Sequence, residues 1–375
     1  MNEARSTKSL RQLHTRLPAL FAALLFLASG CSFAVTTKAQ TPAPARTEER
    51  ELGIELYHQG KFKEAAKQLR KAANKNKADA EAWHYLGLSL LRQEKEIKNA
   101  SKAFETAVKL RPDFAETRSG LSYTYLLRNK LSEAVREARA ALDLDPKIAQ
   151  ANYIIGVVRL RTGSFDEALK AAQETIRLDP QLARSYLLKS QALIGIYSKK
   201  AFENTRAARK PSSELTPEER AERRKKLIQT NGPLVEAAES LEIYLKLNPS
   251  DPSGNTWRDQ LQTLKVFAAY SGDKAISDET IFAGIDVTTK ARVLTKPEPA
   301  YTEKARQAGI TGVVVLRALF AADGTVKHIL VLTGLPDGLT EAAIRAAKKI
   351  KFIPATIDGR PVSMFIQLEY NFNLY

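Results

Sequence analysis

Three prolines, Pro112, Pro146 and Pro180, fall 34 residues apart, and each closes a similar phrase: Lys-Leu-Arg-Pro, Asp-Leu-Asp-Pro and Arg-Leu-Asp-Pro. Asn248-Pro249 after Lys246-Leu247 is a fourth such ending. A fixed period of this length marks stacked structural repeats, because one repeat cannot bury its apolar face alone. Each period holds two amphipathic helices. Trp83, Leu86 and Gly87 sit in the first helix of the second period, and Ala100, Phe104 and Ala107 in its second helix. The equivalents are Leu121, Ser122 and Tyr125 with Ala134, Ala138 and Ala141, then Ile155 and Gly156 with Ala168, Ala172 and Thr175. The first period supplies Leu52, Gly53, Leu56, Ala65, Leu69 and Ala72. Small residues let antiparallel helices approach closely, and each proline ends a helix where no further donor is needed.

The spacing predicts an all-α solenoid over residues 47–272. A fifth pair starts at Ala183 to Tyr197 and resumes at Pro233 to Leu247, around a Lys/Arg-rich insertion at 199–232. The insertion reads as a solvated loop with a charged extra helix, or as a basic surface for anionic lipid or an acidic protein. Within it, Thr216 is a good N-cap with Pro217 at the first helical position. Thr256 to Ser271 reads as a terminal helix closing the solenoid. The Trp, Leu-Gly and Pro positions resemble the tetratricopeptide (TPR) pattern. By that resemblance the first helices line a concave groove bearing Arg50, His84, Arg92, Tyr123, Tyr153, Arg161 and Arg184, residue types that suit an anchored peptide contact.

After a linker at 273–292, the pattern changes from period 3.6 to period 2 in a module at 293–375. Gly312 to Ala321 and Thr325 to Thr333 are apolar-rich strands joined by Asp323-Gly324, a dipeptide that favours a type I′ hairpin turn. Leu339, Ala342, Ala343, Ala346, Ala347 and Ile350 form one helical face, with Asp337 as its expected cap. Phe352 to Thr356 and Arg360 to Phe372 follow, around a second Asp-Gly at Asp358-Gly359. In the last strand Val362, Met364, Ile366, Leu368, Tyr370 and Phe372 alternate with polar Ser363, Gln367, Glu369 and Asn371, so one face is expected on the helix and one in water. This is a small α+β fold, an antiparallel sheet with one main helix.

Pro297-Glu-Pro299-Ala-Tyr301, Ala305 through Gly309 and Ile310 to Gly312, Asp323-Gly324, Leu339-Thr-Glu-Ala342-Ala343, and Lys351-Phe352-Ile-Pro354-Ala355 before Asp358-Gly359 together resemble the TonB C-terminal domain family. Thr302 stands where that family usually has proline. The resemblance implies a periplasmic module that captures a segment of an outer-membrane transporter of the TonB-dependent type by strand addition. The pairing edge is expected along Met364, Phe365, Ile366, Gln367, Leu368, Glu369, Tyr370 and Asn371, with Tyr301 packing the neighbouring surface.

The N-terminus reads as an export signal. Arg5, Lys8, Arg11 and Arg16 precede the apolar run Leu17 to Ser29, too short to span a bilayer comfortably. Leu27-Ala28-Ser29-Gly30-Cys31 resembles a bacterial lipobox, which implies lipidation at Cys31 within a signal at 1–31 and a tether at 32–46. Cleavage after Ala34 and a retained signal anchor stay open; all three place the remainder in the periplasm, with the membrane of residence undecided.

Cys31 is the only cysteine, which excludes a disulfide framework and a thiolate metal cluster. His14, His58, His84 and His328 lack ligand-spaced partners, and no phosphate-binding, dinucleotide or nucleophile-elbow motif occurs. No catalytic residue, metal or cofactor is expected. The net charge of +16 favours acidic partners, yet no nucleic-acid motif accompanies it. The resulting expectation is a non-enzymatic periplasmic adaptor that grips a transporter or other envelope protein with its last module and a second protein with its array. A motor-coupled energy transducer and an outer-membrane lipoprotein assembly scaffold remain alternatives.

Overall fold

A computed structural model describes residues 47–374 apart from 208, 209, 211 and 271–280. The export signal, Cys31 and the tether lie outside the described residues, as do residues 273–280 of the expected linker.

Five helix pairs follow the repeat. They are α1 (Glu48–His58) with α2 (Phe62–Lys75), α3 (Ala80–Leu91) with α4 (Ile97–Leu110), α5 (Ala115–Leu127) with α6 (Leu131–Leu144), α7 (Ala149–Arg161) with α8 (Phe165–Leu178), and α9 (Ala183–Ala207) with α10 (Pro217–Leu247). The single helix α11 (Gly254–Ala269) closes the series. Close packing depends on the glycines: a Cβ on Gly87 or Gly120 would lie 2.7–2.8 Å from the ring of Phe104, which is fully buried between repeats. Alanine at the matching second-helix positions, among them Ala65, Ala100, Ala134 and Ala168, is likewise fully buried.

The helical part of the insertion is continuous with the fifth pair and not a separate helix. It lengthens both members of the fifth pair, so α9 runs on to Ala207 and α10 starts at Pro217. Thr216 and Glu219 form a reciprocal capping box at that start. Pro233, expected to open a helix, lies inside α10. There the chain is held by Asn231, whose Nδ2 donates to the carbonyls of Phe267 and Tyr270 at the end of α11.

The C-terminal domain contains β1 (Ile281–Phe282), β2 (Arg292–Thr295), α12 (Glu303–Gln307), β3 (Gly312–Phe320), β4 (Val326–Thr333), α13 (Leu339–Ala347), β5 (Lys351–Ile353), β6 (Ala355–Ile357) and β7 (Arg360–Phe372). The main sheet has the order β1-β7-β3-β4, with β6 also pairing β7; β2 and β5 form a separate two-stranded ribbon. β1 and Thr289, which bridges Thr356, fall within the stretch read as linker, so that stretch contributes to the sheet.

The two Asp-Gly turns differ. Asp358 and Gly359 both have positive φ (50° and 79°), as a two-residue type I′ turn requires. At the first turn only Gly324 does (φ 82°). The Asp323 carboxylate accepts from the amide and hydroxyl of Thr325, and the Ala321 amide bonds to the Thr325 carbonyl, giving a type I turn with a glycine bulge. Asp337 does not cap α13: it has φ 59°, and Gly338 is the N-cap. Thr302 instead ties two elements, capping α12 at Ala305 and donating to the Asp337 carbonyl at 2.6 Å.

One sheet face packs on α12 and α13 through Leu316, Phe320, Leu368, Tyr370 and Leu339. On the other face Gln367, Glu369 and Asn371 of β7 are in water as expected, but the part formed by β3, β4 and Phe365 is not. It docks on the array: Leu330 and Leu332 share a core with Leu193, Leu234, Leu264 and Phe267, and Phe365 stacks on Phe267 with centroids 4.3 Å apart. Leu227 of the lengthened α10 joins Tyr270, Ile281 and Leu319, and Arg223 pairs with Asp286 at 3.6 Å. Arg317 donates to the Tyr197 hydroxyl at 2.7 Å within a box of Tyr197, Phe267 and Phe365 rings. The signal for this second buried face was present in β3 and β4, whose apolar runs are nearly continuous instead of alternating.

Candidate functional site

The first candidate surface is the free side of β7. From Met364 to Phe372 one side pairs with β3, with Gly312 opposite Phe372 and Phe320 opposite Met364. β6 pairs residues 360–362, and on the second side β1 covers Ser363 and Met364. From Phe365 to Phe372 no further strand lies beside it among the described residues. Met364, expected at the start of the edge, is therefore occupied by Phe282 of β1.

Backbone direction alternates along a strand, so half of the expected edge residues face β3. The Glu369 carbonyl accepts a bond from Lys296 Nζ at 2.6 Å on the open side, which sets the phase. Phe365, Gln367, Glu369 and Asn371 thus direct their amides and carbonyls outward, whereas Ile366, Leu368 and Tyr370 direct theirs into the β3 ladder. Gln367, Glu369 and Asn371 are also exposed in their side chains. Lys296 is exposed, with its ammonium 4.5 Å from the centre of the Tyr370 ring. A lysine laid along a bare edge is a common protection against unwanted pairing. Sequence reading missed it because the contact spans 73 residues.

Of the remaining motif residues, Tyr301 touches β7 directly and the others shape the chain around it. The Tyr301 hydroxyl donates to the Ile310 carbonyl, and its ring meets Phe372 edge-on at 5.7 Å. Phe352 packs on Phe320 at 4.2 Å, and Pro354 separates β5 from β6. Gly309 and Gly312 adopt positive φ on either side of Ile310, where the chain leaves α12 for β3. Pro299 is half-buried beside Tyr301 in sequence.

The second candidate surface is the array groove, and its seven residues separate into three groups. Tyr123, Tyr153 and Arg184 converge from α5, α7 and α9. Arg184 donates to the Tyr123 hydroxyl at 3.1 Å and to Gln150 Oε1 at 2.8 Å, with its guanidinium 4.9 Å from the Tyr153 ring centre. Arg50 and His84 are buried between repeats instead. Arg50 pairs with Asp79 at 3.2 Å, and the other Asp79 oxygen caps α3 at Ala82, so this pair locks α1 to α3. His84 bonds Thr117 at 2.9 Å and lies 4.6 Å from Phe114. Arg92 and Arg161 are exposed at the far ends of α3 and α7, and Arg161 is close enough to Tyr153 to interact with it electrostatically.

Burial, reinforced by the positive charge of Arg111, lowers the pKa of His84 from 6.5 to about 4. The unfolded chain therefore binds a proton between those values that the folded array does not. The array keeps this stability above about pH 6.5 and loses it as the pH falls towards 4. Thermal melts at several pH values in this window are expected to fall more steeply for the native chain than for His84→Gln. Parallel curves would show that His84 is already protonated when folded.

Residues 297–374 match the family described as Gram-negative bacterial TonB protein C-terminal, and residues 50–113, 95–146 and 121–183 match the tetratricopeptide repeat. The chain is a TPR array joined to a TonB C-terminal domain. Protein TonB of Vibrio cholerae serotype O1 is 33% identical over 89 residues, which cover 24% of this chain and 36% of that protein. Among solved structures, MamA is 18% identical with a TM-score of 0.37, covering 54% of this chain and 90% of MamA. YrrB, described as a TPR protein with an unusual peptide-binding site, is 17% identical with a TM-score of 0.37, covering 56% of this chain and 90% of YrrB. In the TonB C-terminal domain of this chain no strand lies beside β7 from Phe365 to Phe372 on the side away from β3, among the described residues. Among the described residues no group of acidic, histidine or cysteine side chains is placed to hold a metal ion, and no helix is long and apolar enough to cross a membrane.

Proposed function

We propose that this chain is a non-enzymatic periplasmic adaptor whose TonB C-terminal domain captures an extended segment of an outer-membrane transporter, while its repeat array holds a second protein. The observation that carries the reading is the open side of β7 from Phe365 to Phe372, a row of outward amides and carbonyls with exposed polar side chains. An extended segment pairs with such a row through main-chain bonds, and alternate side chains set its specificity. On the array, Tyr123, Tyr153 and Arg184 form the part of the groove with fixed aromatic and cationic character. The same reading takes the N-terminal signal and Cys31 as the route to the periplasm and to a lipid anchor.

Photo-crosslinkers at Gln367 and Asn371 in cells test the edge. The expected product joins this chain to the periplasmic segment of a membrane barrel; recovery of soluble enzymes alone overturns the transporter reading. Lys296 sharpens the test, because an incoming strand must take the Glu369 carbonyl from it. Lys296→Ala is expected to tighten binding of the captured segment roughly threefold to tenfold, the scale of one bond to a charged group no longer displaced. Weaker binding in that variant would make the lysine part of the grip instead of a cover.

A further inference from the structure

The sheet has a second edge, on β4, and its fate differs from that of β7. Gln260 of α11 reaches it with both ends of its side-chain amide. Nε2 donates to the Ile329 carbonyl at 2.7 Å, and Oε1 accepts from the Val331 amide at 3.0 Å. In a parallel ladder one residue of the neighbouring strand bonds in this same way to the residues before and after its partner. The Gln260 amide thus occupies β4 as a single residue of an adjoining strand would.

We propose that Gln260 is a permanent strand surrogate that closes the β4 edge, so that strand addition is confined to β7. This rests on the reading of β7 as a docking edge and adds why the β4 edge does not compete with it. The two edges are guarded unequally. On β7 the guard is one exposed lysine with a single bond, readily exchanged for water or a partner. On β4 the guard is a buried amide with two bonds, only 5% exposed. Its helix is anchored by Leu261, Leu264 and Phe267 in the core shared with Leu330 and Leu332. Displacing it means separating the array from the domain.

A chain with both edges bare would be self-complementary, since β4 of one copy can pair with β7 of the next. Such head-to-tail contacts need not close into a ring and can extend without limit. The partner that Gln260 excludes is therefore a second copy of this chain as well as a misplaced transporter segment.

The test uses the full chain. In Gln260→Ala the Val331 amide is expected to exchange with solvent at least tenfold faster, on the order of one lost hydrogen bond. A photo-crosslinker at the exposed Thr333 is expected to join two copies at tens of micromolar in this variant and not in the native chain. Gln260→Glu keeps an acceptor for Val331 and is expected to keep that amide protected, which decides the matter should the alanine variant fail to fold. Native-like protection of Val331 in Gln260→Ala overturns the proposal. So does a bare Val331 without crosslinked copies, or loss of its protection in a folded Gln260→Glu chain. Failure of the docking reading shows separately, in crosslinks from Gln367 and Asn371 that never reach a barrel.

Discussion

Gln367→Pro is expected to abolish strand capture while leaving the TonB C-terminal domain folded. The amide of Gln367 points to the open side of β7, so proline there removes a docking donor without touching the β3 ladder. Proline is tolerated at edges for this reason, and its ring also projects into the lane where a partner strand must lie. Losing one main-chain bond weakens capture by about tenfold, and the obstruction of neighbouring bonds raises this to a hundredfold or more. Leu368→Pro is the matching control. Its amide faces β3 opposite Leu316, and its side chain lies in the core with Tyr370 and Leu339, so that variant is expected to unfold the domain. Calorimetry with the captured segment and circular dichroism of both variants read the two outcomes. Unimpaired binding by a folded Gln367→Pro chain would show that partners dock elsewhere.

The second large effect is expected at Phe267. Its side chain is 1% exposed, stacks on Phe365 of β7 and lies in the core that joins α10 and α11 to β4. Phe267→Ala removes about 3–5 kcal/mol of burial and packing, a large share of the stability of an ordinary domain. Because the core is shared, array and domain are expected to lose stability together. Denaturation followed by Trp257 of α11 should shift to lower denaturant. Amide exchange at Leu316 and Leu368 in the sheet should accelerate in step. If the sheet amides keep native protection while Trp257 reports unfolding, the two parts are energetically separate, and the docking of Phe365 contributes little.

Much of the fold was legible because it is written in local pattern. The proline spacing, the paired Leu-Gly and Ala positions and the period-2 strands each specify a conformation within about one helical turn or one hairpin. Errors arose where one signal serves two geometries. Asp-Gly announced both hairpins, but the Asp323 carboxylate reaches forward to Thr325 and favours a bulged turn, whereas Asp358 enters the left-handed region directly. Asp337 resembled a cap by residue type, yet the backbone there is left-handed and the helix begins one residue later. The Lys/Arg-rich insertion looked like solvated loop because its charges are real. Its few apolar residues, Leu227 above all, brace the sheet.

The sequence by itself determined that this chain is a stack of helix pairs followed by a small sheet, and that its last strand has one apolar face. Which backbone groups stay bare was decided only in three dimensions. Edges are closed by whatever packs beside them: Phe282 on Met364, Lys296 on Glu369 and Gln260 on Ile329, contacts reaching across 69 to 82 residues. No window of local pattern carries that information. A strand's own residues set its pleat and its faces, but its hydrogen-bonding neighbours are set by the packing of the whole chain.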